Sequence, residues 1–107
     1  MTVQEFVNKK AKQLCFYLRA FWHGELPIEE VELFFWDSME EWGQIEYTFT
    51  QPYTPKERVF WHLLHQVHYW PEDKLAHDTY LIAEFTHCVL FLEGKGHCPF
   101  DCVGIRP

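Results

Sequence analysis

Between residues 2 and 22 the side chains of Val3, Phe6, Val7, Ala11, Leu14, Leu18 and Phe21 recur at steps of three and four. That spacing gathers them on one face of an α-helix, whereas the two-residue period of a strand would scatter them over both of its faces. Three later segments repeat the pattern, so the chain is committed to helices that each need a neighbour to cover one side. Gly24 ends the first segment. Pro27 suits a first helical position, Glu29 and Glu30 face the positive end of the next helix dipole, and Ile28, Val31, Phe35, Met39 and Trp42 form the second stripe before Gly43.

A third start lies in TPKE, residues 54–57, where Thr54 can cap, Pro55 loses nothing by lacking an N–H, and Glu57 can reach back to complete a capping box. Pro71 ends that helix and opens a fourth, which Gly94 and Gly96 close. Residues 45–50, IEYTFT, alternate apolar and polar side chains as a strand would, but no partner strand is evident. An extended connector between the second and third helices is expected there. The predicted fold is all-α: a small antiparallel four-helix bundle in one domain, 1–107, with helices over 2–22, 27–43, 55–70 and 71–93 and an irregular tail over 94–107.

With 107 residues and 48% hydrophobic content, such a domain buries roughly two-thirds of its unfolded surface and needs neither metal nor disulfide to fold. Aromatic residues make up 19%, more than so small an interior needs, so some are expected at the surface or between copies of the chain in a homo-oligomer. The 9 basic residues against 16 acidic ones, a formal charge of −7, argue against a nucleic-acid partner, whose phosphates bind through cationic side chains. A basic protein partner fits better. The opening MTVQEFVNKK lacks the basic-then-apolar order of a signal peptide, and no apolar run approaches the ~20 residues that span a bilayer. The expectation is therefore a cytoplasmic protein without membrane contact, its cysteines reduced or bound to metal.

Half of all the carboxylates, eight of sixteen, fall between Glu25 and Glu46, where there is no Lys or Arg. On the helical wheel Glu29, Glu30, Asp37, Glu40 and Glu41 share an outward arc with Leu33 and Trp36, an acidic field around an apolar pair that suits docking of a basic partner. The competing reading is internal neutralisation by Lys9, Lys10, Lys12 and Arg19 of the first helix.

The segment RVFWHLLHQVHYW, 58–70, spaces His62, His65 and His68 three apart, more than about 100° from the apolar arc of Val59, Phe60, Leu63, Leu64, Val67 and Trp70. An interior metal site would need ligands projecting inward, so a solvated or interface-lining histidine face is favoured. Trp61 falls on the same outer face, where it either anchors a partner together with His62 and His65 or is covered by a neighbouring helix or the tail.

In the tail, His97, Cys98 and Cys102 could bind zinc with His87 or His65 as a further ligand, but the C-x3-C spacing encloses Pro99 and is not a paired C-x2-C knuckle. The alternative is a tail packed through Phe100, Val103 and Ile105 with its thiols free. No Gly-rich phosphate loop, G-x-S-x-G elbow or paired-carboxylate motif is present, and His87-Cys88 and His97-Cys98 are adjacent in sequence without a nucleophile-and-base geometry. The leading expectation is a cytoplasmic, self-associating protein-interaction module, a regulator or adaptor with no cofactor. A zinc-binding protein comes second and a small enzyme third.

Overall fold

Thr2 starts the first element. Its hydroxyl accepts the Glu5 N–H at 3.1 Å while the Glu5 carboxylate accepts the Thr2 N–H at 3.4 Å, so two otherwise unpaired helix-end donors are satisfied reciprocally. A computed structural model describes residues 1–46 and 51–107, and from this cap α1 runs over Val3–Trp22. Gly24, at φ +74°, supplies the left-handed turn that ends it. The second helix, α2, spans Ile28–Trp42, and α3 spans Pro55–Tyr69 with Thr54 capping the Glu57 N–H at 3.1 Å. The Glu57 carboxylate, expected to close a capping box, instead turns into the protein.

The single helix expected over 71–93 is two helices, α4 (Glu72–His77) and α5 (Thr79–Leu92). Asp78 divides them. At φ −75° and ψ 108° it leaves helical geometry, and its carboxylate accepts the N–H groups of Tyr80 and Leu81 at 3.0 and 3.1 Å, capping a new helix rather than continuing the old one. Among the described residues the protein is thus all-helical, with five helices and no strand. Of the alternating segment 45–50, Ile45 and Glu46 belong to neither helix nor strand, and 47–50 lie outside the described residues.

The helices share one core, in which Phe6, Leu14 and Leu18 of α1 are buried with Phe60, Leu63 and Leu64 of α3 and Phe85 and Val89 of α5. The radius of gyration, 13.4 Å, is close to the ~13 Å expected of a compact chain of this length. Polar ties fix the helix ends. Trp22 Nε1–H donates to the Leu75 carbonyl at 3.1 Å, and Arg19 donates to both Glu93 oxygens at 2.7 and 3.0 Å, holding that carboxyl below its ordinary range. No helix among the described residues is long and apolar enough to cross a membrane.

The tail packs on the helices, but through the opposite side chains from those expected. Phe100, Val103 and Ile105 are 94, 65 and 71% exposed, while Cys102 is buried and the Arg106 side chain is only 5% exposed. Successive side chains of an extended segment point to opposite sides, so residues 102, 104 and 106 form the inward row of a strap laid across α3. Polar anchoring outweighs the apolar side chains that hydrophobicity alone would have turned inward. At Gly104 the backbones nearly touch: its N–H donates to the Arg58 carbonyl at 3.1 Å, and a Cβ there would lie 2.3 Å from the His62 nitrogen and 2.5 Å from the Arg58 oxygen. Gly104→Ala is therefore expected to lift the strap at a cost of about 1–3 kcal/mol, the usual range for overpacking. Chemical denaturation measures the loss, and amide hydrogen exchange across 102–106 should accelerate with it.

Candidate functional site

One side of α2 is apolar, with Val31, Phe34, Phe35, Ser38 and Trp42 buried at helical spacing. The other side carries Glu29, Leu33, Trp36, Asp37 and Glu40, all exposed, with Leu33 at 53% and Trp36 at 58%. Two large apolar side chains thus stand in water among carboxylates, as the wheel predicts.

Between α1 and α2 this face opens into a groove of about 430 Å³ whose lining includes Lys10, Tyr17, Leu33, Phe34, Asp37 and Glu40. Its floor is aromatic. Tyr17 and Phe34 have ring centroids 4.8 Å apart, and the Lys10 ammonium lies 5.5 Å from the Phe34 centroid, where a cation is attracted to the ring face. Lys10 is buried and pairs with Glu41. Arg19, another of the four cations expected to neutralise α2, is turned to Glu93. Among the described residues Glu29, Glu30, Asp37 and Glu40 form no ion pair, so most of the acidic field is left uncompensated by α1.

On the far side of Trp36, His68 lies flat on Phe35, ring centroids 3.9 Å apart and planes 3° from parallel. It contacts Glu32 through Nδ1 at 3.2 Å and meets the Trp36 ring edge to face at 5.2 Å. His68 thereby steadies an aromatic that would otherwise be anchored on one side only. The spacing of His62, His65 and His68 did not reveal this role, because the three imidazoles have different surroundings rather than a shared ligand. His65 Nδ1 is 2.8 Å from the Trp61 carbonyl oxygen, and His62 is half-buried beside the strap. Burial lowers the His62 pKa, with nearby Glu84 acting against that shift and His65 adding to it.

Trp61 corrects the wheel reading outright. It is fully buried, covered by neighbouring helices as the alternative reading expects, not part of an outer docking face, and so it leaves the group formed with His62 and His65. Its ring packs against Phe6 at 6.0 Å and Trp42 at 4.9 Å, because α3 is covered on two sides rather than one. The sequence held a signal for this second side. Glu57, Trp61, Leu64 and His68 recur at four-, three- and four-residue steps, a stripe of its own that a carboxylate and an imidazole disguised.

At the head of that stripe Glu57 is fully buried and accepts three charge-defining contacts. Trp61 Nε1–H donates at 2.9 Å, and Arg106 donates from Nε at 2.6 Å and from Nη2 at 2.8 Å. Arg106 also stacks on Tyr53, 4.2 Å from its ring centroid, and donates to the Gln51 carbonyl at 3.0 Å. Sequence reasoning missed this anchor, because nothing in the chain order ties residue 57 to residue 106.

The residues expected as zinc ligands, His87 of α5 with His97, Cys98 and Cys102 of the tail, do come together around one cavity of about 520 Å³. Even so, among the described residues no three His, Cys, Asp or Glu side chains are placed to hold an ion. Cys102 instead faces Cys88 of α5, the sulfurs 3.7 Å apart. Cys15 is separate, its thiol directed to the Val89 carbonyl at 3.7 Å and pushed up to about 12 by burial. No protein-family model matches the chain, and no curated protein or solved structure is significantly similar to it.

Proposed function

We propose that the protein is an interaction module whose α2 face docks a basic segment of a protein partner. The observation that carries this reading is the exposed pair Leu33 and Trp36 set among Glu29, Asp37 and Glu40, carboxylates without an ion pair among the described residues. Such a surface attracts cationic side chains over a distance and offers apolar area once they arrive. The aromatic floor of the adjoining groove gives Lys or Arg stems a further place to lie. A cytoplasmic regulator or adaptor built as an antiparallel bundle accords with the short connections and the net negative charge. Self-association belongs to the same reading, and the exposed rings of Phe16, Tyr69 and Tyr80 support it by leaving aromatic area uncovered.

The test uses a cationic amphipathic helical peptide, with an acidic peptide of equal hydrophobicity as control. Tryptophan fluorescence of the full chain should respond to the first peptide and not to the second, and the response should weaken as salt shortens the Debye length. Reversing Glu29, Asp37 and Glu40 to Lys should abolish the response while stability stays within about 0.5 kcal/mol, as is usual for surface changes. Equal binding by the reversed variant would overturn the reading. So would a marked fall in its melting temperature, which would mean that these carboxylates are spent on internal pairing.

A further inference from the structure

The sulfurs of Cys88 and Cys102 are 3.7 Å apart, yet the two residues belong to different elements: Cys88 to α5, and Cys102 to the strap that crosses α3. Cys88 is fully buried and Cys102 is 8% exposed, so neither is a casual surface thiol. Cys102 also lines the 520 Å³ cavity bounded by Glu84, His87 and Phe100, which gives a small reagent a way in. Beyond it the strap is held by the Gly104 backbone and by Arg106. The pair therefore lies at the entrance of the strap, and a bond there would close a loop between residues 14 positions apart.

We propose that Cys88 and Cys102 form a reversible oxidation site, whose disulfide locks the C-terminal strap onto α5. The oxidant class is a small-molecule disulfide such as oxidised glutathione. In the exchange both protein S–H bonds and the reagent's S–S bond break, one protein S–S bond forms, and each glutathione leaves as a thiol carrying one of the two protons. Two electrons pass from the cysteine pair to the reagent. The sulfurs must approach to about 2.05 Å, a movement that side-chain rotation and the irregular segment before Cys102 can supply. Burial raises the pKa of both thiols, so the closed strap keeps them protonated and slow to react, and exchange proceeds during its opening. This site lies apart from the α2 face and does not depend on the docking reading.

The experiment equilibrates the full chain, freed of metal by a chelator, in glutathione buffers of graded ratio, then traps the thiols and maps the linkages by mass spectrometry. A Cys88–Cys102 link is expected as the main product, present equally in Cys98→Ser and absent from Cys88→Ser and Cys102→Ser. Oxidation should also slow exchange of the Gly104 amide by about a hundredfold, the change expected from closing a loop of this length. A main product joining Cys98 or Cys15, glutathione adducts alone, or an unchanged Gly104 amide in the linked protein would each overturn the proposal. The linkage map of the unsubstituted chain stands even if a serine variant fails to fold.

Discussion

Arg106→Ala is expected to destabilise the protein by about 3–5 kcal/mol, the range for removing one partner of a buried ion pair. The reason lies with what remains. The Glu57 side chain is fully buried, and without Arg106 the one donor left to its carboxylate among the described residues is the Trp61 N–H. A chain of this size has about 5–15 kcal/mol in all, so the loss should lower the melting temperature by more than about 10 °C. Adding Glu57→Gln to Arg106→Ala should restore part of it, because a buried amide does not require a cation. A double-mutant cycle read by chemical denaturation makes the distinction. An Arg106→Ala protein within about 0.5 kcal/mol of the parent would mean that the strap is an ornament of the surface.

The anchor marks the limit of what the sequence discloses. Elements set by local chemistry were legible: the Thr54 and Gly24 boundaries, and the α1 and α2 stripes, follow from caps, turns and a 3.6-residue period acting within a few residues. The same local logic supplied Leu33 and Trp36 as outward residues, since α2 has one covered side and the wheel is a sufficient description of it. It failed where a residue has two covering neighbours or a distant partner. Asp78 reads equally well as a residue of a continuing helix or as the cap of a new one, and the packing of α4 and α5 decided between them. The tail misled for a different reason. Hydrophobicity favoured burial of Val103 and Ile105, but the alternating row is chosen by Gly104, which alone permits the close approach to Arg58, and by Arg106, which has a buried carboxylate to meet. Neither attraction is visible until residues some fifty positions apart are brought together.

Trp61→Ala turns that difference into a measurement. On the outer face assigned by the wheel, the substitution would change stability by no more than about 0.5 kcal/mol. In its place among Phe6, Trp42 and Phe60 it should cost about 3–5 kcal/mol, the range for emptying a buried Trp site. Trp61→Phe keeps most of the packing but removes the N–H that reaches Glu57 Oε2, and should cost about 1–3 kcal/mol. Because Arg106 Nε donates to the same oxygen, Trp61→Phe and Arg106→Ala are expected to combine to a total different from the sum of their separate effects. Trp36 supplies the contrast. At 58% exposure its replacement by Ala should leave the melting temperature nearly unchanged while it abolishes the proposed response to a cationic peptide, whereas Trp61→Phe should weaken the fold and leave that response intact. Two tryptophans of one small chain then separate along independent axes, one read by denaturation and the other by titration. A Trp61→Phe protein of full stability that no longer binds the peptide would reverse both assignments at once.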